Sequence, residues 1–268
     1  MTDFYLIDAF ADAAFTGNPA AVVPLPAWLP EETLQAIAAE HNLSDTAFFV
    51  PAGESAADYE IRWFTPRVEV PLCGHATLAT GHVLFQHLGY AGETLRLKTR
   101  KKGLLTLHKV AAESYAMTLP AAAQTSFELD PALAHSLNLT VLEAYEGSFL
   151  TLVLPDAQGV ASYQPDFTAI KALGKELIIT AAGGTMPPYG DFDFVSRVFA
   201  PNIGVNEDPV TGAAHCQLVP YWSLIRQKTA LRAAQIGPRG GRLKAELHGT
   251  QVTLIGQART YATGQIYL

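Results

Sequence analysis

Two stretches of this chain that read as helices contain no Asp, Glu, Lys or Arg: Leu78 to Leu88, and Val210 to Ile225. A helix that is uncharged on every side has no face to offer water and must be surrounded by other elements. Each stretch is opened by glycine and polar residues, Pro71-Leu-Cys-Gly-His75-Ala-Thr in the first half and Glu207-Asp208-Pro-Val-Thr-Gly212-Ala-Ala-His215-Cys216 in the second. A helix N-terminus carries unpaired N–H groups and partial positive charge, which favours an anion. One buried helix per half of the chain predicts two similar α+β lobes. Two such helix openings facing each other across a cleft would suit a small carboxylate held between acid–base groups.

The segments around these helices read mostly as strands. Tyr59, Ile61 and Trp63 alternate with Glu60 and Arg62, the period of a half-buried strand. Further strands are expected at Phe4–Ala11, Ala20–Pro24, Thr46–Val50, Leu104–Lys109, Ser114–Leu119, Phe149–Leu154, Leu177–Thr180 and Phe192–Phe199. Three more close the chain, Arg242–Leu247, Gln251–Ile255 and Gln257–Thr263. Pro30-Glu31-Glu32 opens a shorter helix that Asn42 stops, because proline suits the first turn and acids favour its positive end. The buried helices are expected from about His75 to Leu88 and from Thr211 to Arg226. Pro120 to Ser126 lacks periodicity and is a candidate hinge. It divides an N-terminal lobe, 1–118, from a C-terminal lobe, 119–256, with the last strand, 257–268, able to return to the first lobe.

At 268 residues, with 49% hydrophobic and only 16% charged residues, the chain has ample core for two lobes. Its net charge of −7 argues against a nucleic-acid or anionic-membrane partner. The basic cluster Lys98, Arg100, Lys101, Lys102 ends at Gly103 between two strand-like runs and reads as a solvated hairpin turn. Two cysteines make no disulfide framework and suggest reduced thiols. No signal peptide or spanning run is visible, so a cytoplasmic location is expected.

Three residues could move protons. Asp208 stands before the second buried helix, where it reads either as an N-cap or as an ionised group aimed at the cleft. His75 follows Gly74, which lets a ligand approach the backbone closely. It is either a structural histidine or a proton carrier kept neutral by the helix terminus. Asp45 lies where a helix ends and an apolar strand begins, as an Asx-turn residue or a general base. His82 and His87 are weaker candidates. Cys73 and His75 lack a third ligand at sensible spacing, so no metal site is expected. Gln235 to Arg242 is glycine-rich but lacks the Lys-Ser/Thr of a phosphate loop.

Taken together, Ile7-Asp-Ala-Phe, Phe15-Thr-Gly-Asn-Pro-Ala-Ala-Val-Val, Asn42-Leu-Ser-Asp-Thr-Ala-Phe-Phe-Val, Arg62-Trp-Phe-Thr-Pro, Cys73-Gly-His-Ala-Thr-Leu-Ala and Glu207-Asp-Pro-Val-Thr-Gly-Ala-Ala-His resemble the phenazine-biosynthesis (PhzF-like) isomerase family, in order along nearly the whole chain. The resemblance implies the diaminopimelate-epimerase-like fold, two pseudo-symmetric lobes in which a barrel-like antiparallel or mixed sheet wraps a central helix. It also implies acid–base isomerisation without cofactor or metal, in a homodimer. By position, Asp45 falls where the family usually has a glutamate base, while His75 and Asp208 match its histidine and second acidic residue. Asn18, Gly74, Gly212 and Ala213 are expected at the substrate. Asp45 is one methylene shorter than glutamate, which withdraws the carboxylate by about 1.5 Å. Ala213 stands where a serine is expected.

The leading expectation is therefore an isomerase in which Asp45 takes a proton from a small carboxylate-bearing substrate and His75 or Asp208 delivers one. A racemase or epimerase on the same fold would need two thiols on opposite faces; Cys73 is suitably placed, whereas Cys216 lies inside its helix. A binding protein that has lost turnover is the third reading, motivated by Asp45 and Ala213.

Overall fold

Eight strands close into a ring around the first charge-free helix. In the computed structural model, which describes residues 1–53, 56–184, 187 and 189–268, β1 (Thr2–Ala9) pairs antiparallel with β2 (Asn18–Pro24). Helix α1 (Glu31–His41) then carries the chain to β3 (Asp45–Pro51), which lies parallel to β2. Pro30 is the residue before α1, two glutamates occupy its first turn, and Asn42 ends it in the left-handed conformation. Next, β4 (Tyr59–Phe64) runs antiparallel to β3 and carries a two-residue edge strand, β5 (Glu69–Val70). Helix α2 (Gly74–Gln86) follows. The hairpin partners β6 (Thr94–Thr99), β7 (Leu104–Ala111) and β8 (Ser114–Pro120) continue from β4, which pairs parallel with β6. The last strand, β17 (Gln251–Ile266), pairs with both β8 and β1 and closes the ring.

The helix inside this ring is buried at every residue from His75 to Phe85, as its lack of charge requires. It packs tightly against the wall at Gly81, where an added Cβ would sit 1.8 Å from Leu107 Cδ2 on β7. The glycine, unfavourable for a helix interior by about 1 kcal/mol, is explained by that contact. Chain packing groups Met1–Leu119 with Leu254–Leu268 as one unit, and Pro120–Thr253 as the other.

The second unit repeats the connectivity of the first. After β9 (Thr125–Ser126) and helix α3 (Pro131–Ser136), β10 (Glu143–Glu146) pairs antiparallel with β11 (Leu150–Val153). Two short helices, α4 (Ala157–Ser162) and α5 (Phe167–Ala172), lead to β12 (Leu177–Ala182), parallel to β11. Strand β13 (Phe194–Ala200) runs antiparallel to β12 and carries the edge strand β14 (Val205–Asp208). Helix α6 (Gly212–Arg226) follows, then β15 (Ala230–Gln235), parallel to β13, and β16 (Gly241–His248), antiparallel to β15. The order of pairings (hairpin, helical crossover to a parallel strand, antiparallel strand with a short edge, central helix, parallel return, hairpin) is that of β1 to β7. This is the two-lobed, helix-centred α+β architecture that the charge-free stretches required.

Several sequence readings need correction. Asp208 is not the N-cap of α6: it pairs with Val198 as the last residue of β14, and Thr211 occupies the cap. The expected strands at Gln251–Ile255 and Gln257–Thr263 are one continuous strand through Gly256. Within the segment from Pro120 to Ser126, Thr125 and Ser126 pair with β10. Strands β5, β10 and β15 and helix α4 carry too few residues or too weak a pattern to be read from sequence. In α6, Pro220 removes the N–H that would bond the carbonyl of Cys216, and the N–H of Ala122 takes that carbonyl at 3.0 Å instead. A proline inside a buried helix is thereby reconciled with full backbone pairing. No helix among the described residues is long and apolar enough to cross a membrane.

Candidate active site

Strands β2 and β3 are parallel neighbours, with Ala20 opposite Asp45, so Asn18 at the start of one lies near Ser44 and Asp45 at the start of the other. Helix α2 packs against β1, β2 and β3, which brings its first turn to the same place. Asn18, Ser44, Asp45, Cys73 and His75 meet there. His75 Nε2 lies 3.7 Å from Asp45 Oδ2. The Asp45 carboxylate, the Cys73 sulfur and the His75 imidazole each offer a ligand atom within 4.8 Å of the other two. The three residues are 9%, 7% and 5% exposed, so their charges and lone pairs act in a largely water-free setting.

A ring of hydrogen bonds orients the histidine. The amide Nδ2 of Asn18 donates to His75 Nδ1 at 3.2 Å, which leaves the imidazole proton on Nε2. Nε2–H faces Ser44 Oγ at 3.2 Å, and that hydroxyl in turn donates to Asn18 Oδ1 at 2.9 Å. Burial pushes the His75 pKa down to about 3, so the ring is neutral at ordinary pH. A neutral imidazole with its proton aimed past a carboxylate can deliver that proton or receive one, which an imidazolium locked in an ion pair cannot. Asn18, expected at the substrate, is fully buried, and both ends of its amide face His75 and Ser44. Its evident work is to hold the imidazole.

Asp208 belongs to the second unit, where a different clamp holds it. Thr211 Oγ1 donates to Asp208 Oδ2 at 2.5 Å, and the backbone N–H of Thr211 donates to Gln235 Oε1 at 2.9 Å. Gln235, itself 1% exposed, also donates through Nε2 to the Asp208 carbonyl. The end of β15 therefore fixes the turn between β14 and α6. Gly212 is the first, buried residue of α6, and Ala213 after it is exposed. Gly74 begins α2 in the same way. Neither cap residue, Cys73 before α2 or Thr211 before α6, bonds its helix through its side chain.

The remaining candidates are structural. His82 Nε2 bonds Thr260 Oγ1 at 2.9 Å and its Nδ1 lies 3.1 Å from the Tyr115 hydroxyl, tying α2 to β17 and β8. His87 reaches the same threonine at 2.7 Å. Cys216 is buried and its thiol is pushed up to about 12 by desolvation, so it is a poor proton carrier. The basic cluster is the turn between β6 and β7, with Lys98 on Glu60 and Arg100 on Glu31 and Glu69. The glycine-rich Gln235–Arg242 segment joins β15 to β16.

Ser44 and Gln235 are the site residues that sequence reasoning missed. Ser44 sits inside the Asn-Leu-Ser-Asp motif, but its role depends on β2 lying beside β3, which no local pattern encodes. The third donor near Cys73 and His75 was missed for the same reason: Asp45 is remote in sequence and is brought in by strand order.

Comparison with known proteins gives a consistent picture. The phenazine biosynthesis-like protein family matches residues 7–264. Two uncharacterized isomerases of Pseudomonas aeruginosa are similar to the chain: one is 45% identical over 98% of both chains, the other 43% identical over 99% of this chain and 98% of its own. A solved phenazine biosynthesis protein of the PhzF family from Enterococcus faecalis superimposes with a TM-score of 0.92 at 44% identity, covering 100% of this chain and 99% of its own.

Proposed function

The chain belongs to the phenazine biosynthesis-like protein family, and from that premise we propose that it is an isomerase that moves a proton on a small carboxylate-bearing substrate. The observation that carries this reading is the Asp45–His75 pair, a carboxylate 3.7 Å from a buried neutral imidazole at the uncapped opening of α2. The names of the two Pseudomonas aeruginosa relatives support the reaction class.

In this reading Asp45 abstracts a proton from carbon, and His75, its proton on Nε2, delivers one elsewhere on the substrate. N–H groups at the opening of α2 stabilise negative charge as it develops on the substrate, commonly a large contribution to such catalysis. The reaction is proposed to need no cofactor or metal, and the assembly to be a homodimer. A two-thiol racemase is the weaker reading, because Cys216 is inside its helix with a strongly raised pKa.

Unsaturated and hydroxylated carboxylic acids incubated with the protein in heavy water test the proposal. The expected outcome is deuterium at carbon in at least one acid, together with a shifted double bond or inverted centre. A panel that binds to the protein yet never exchanges would favour the binding protein that has lost turnover.

A further inference from the structure

We propose that Cys73 is the proton source behind His75: as the imidazole gives its Nε2 proton to the substrate, the Cys73 thiol gives its own to Nδ1. The proposal deepens the isomerase reading above and rests on it. The two ring nitrogens face different groups. Asp45 Oδ2 lies 3.7 Å from Nε2. Cys73 Sγ is nearer to Nδ1, at 3.4 Å, than to Nε2, at 3.9 Å. The imidazole therefore stands between a carboxylate on one side and a thiol on the other.

A neutral imidazole holds one proton on nitrogen. Giving it up unaided would leave an imidazolate, an unpaired charge on a side chain that is only 5% exposed. Prior uptake of a second proton from water is no remedy. Burial lowers the His75 pKa to about 3, which keeps the imidazolium scarce near neutral pH. A proton must therefore reach Nδ1 as one leaves Nε2. The Asn18 amide, 3.2 Å from Nδ1, orients the ring but does not release its N–H proton. A thiol, by contrast, is an acid that ionises within reach of neutral pH. Cys73 is also the residue before the first turn of α2, so the positive end of the helix stabilises the charge left on sulfur.

The protons and charges balance. Asp45 takes a proton from a substrate carbon and becomes a neutral acid, and the electron pair of the broken C–H bond stays delocalised on the substrate. That pair takes the Nε2 proton at a second position. The Cys73 S–H bond breaks, an Nδ1–H bond forms, and sulfur keeps its electron pair as thiolate. One negative charge has moved from Asp45 to Cys73, and nothing is oxidised or reduced. The same ring is the return path. A small rotation brings Asp45 Oδ2 into hydrogen-bond reach of Nε2, about 2.6–3.2 Å. The acid then reprotonates Nε2 while the Nδ1 proton goes back to sulfur. Cys73 acts through His75 throughout and does not touch the substrate.

Two measurements test the relay. The first needs no substrate. In Cys216→Ser protein Cys73 is the remaining thiol, and its S–H infrared band should lie below that of an unbonded thiol and rise toward it in His75→Phe. An unshifted band would overturn the proposal and leave the isomerase reading standing. The second uses an acid that wild type both labels in heavy water and isomerises. Deuterium enters at the carbon that Asp45 deprotonates even when a proton is put back there, whereas product needs delivery by His75. Cys73→Ala should cut product formation by about 10²–10⁴-fold while the remaining substrate is still labelled at close to the wild-type rate. Cys73→Ser keeps a hydrogen-bond donor at Nδ1 but a far weaker acid, so it should not restore the product rate. Product and labelling that fall together, an unchanged product rate in Cys73→Ala, or full rescue by serine would overturn the proposal. A wild type that labels no acid would instead sink the isomerase reading first, and the relay with it.

Discussion

At the residue scale the site turns on which atom of His75 holds a proton. The motif Cys-Gly-His marks a histidine at a helix opening, and its neutral state was foreseen from the helix terminus. In the structure burial is the cause. The tautomer was not legible, because Asn18 and Ser44 come from separate strands. Ser44→Ala opens the hydrogen-bond ring and leaves Asn18 Oδ1 without that donor. Nitrogen NMR of the imidazole should then change from a single Nε2–H form to a mixture, and kcat should fall about 10-fold with KM little changed, as expected of a group that positions another. Ser44→Thr should restore both. A Ser44→Ala protein with the wild-type tautomer and rate would leave Ser44 with only a structural part.

At the element scale, absence of charge was the most informative signal in the chain. The charge-free run Val210–Ile225 matches α6 to within two residues, whereas Leu78–Leu88 begins four residues after α2 does, and both implied strands on all sides. Short edges such as β5, with two residues, escaped because so brief a segment has no period to detect. The contact of α2 with its barrel is tested at Gly81. An alanine there gains about 1 kcal/mol of helix propensity but forces its Cβ into Leu107, which is fully buried. Overpacking of this kind costs about 1–3 kcal/mol, so Gly81→Ala should lower the unfolding free energy. Adding Leu107→Ala makes the room the methyl needs, so the double variant should lose less than the two single losses combined. Additive losses in denaturant unfolding would mean that the contact does not explain the glycine.

At the scale of the whole molecule, three histidines are buried in their neutral form. Desolvation lowers His75 to about 3 and His82 and His215 to about 4. In the unfolded chain each protonates near 6.5. The unfolded state therefore binds more protons as pH falls below that value, and native stability declines from about pH 6.5 toward pH 4. Uptake of these three protons contributes at most about 4 kcal/mol per pH unit. Melting temperature should be flat from pH 7 to 8 and fall steeply below 6.5. His82→Gln should flatten the slope by about one proton's share. An acid limb that begins only near pH 4 would show instead that carboxylates dominate. The duplicated strand order that frames these helices could be read only coarsely from sequence, since parallel pairings such as β4 with β6 join segments separated by a whole helix.

The central claim is that Asp45 takes a proton from carbon, and solvent exchange in Asp45→Asn tests it most directly. The substitution preserves size and most hydrogen bonds while removing the only form that can accept a proton. On an acid that wild type labels in heavy water, deuterium incorporation should fall by about 10²–10⁴-fold, with the melting temperature within a few degrees of wild type. Undiminished incorporation in a folded Asp45→Asn protein would contradict the account and leave Asp45 as a residue that only shapes the opening of β3.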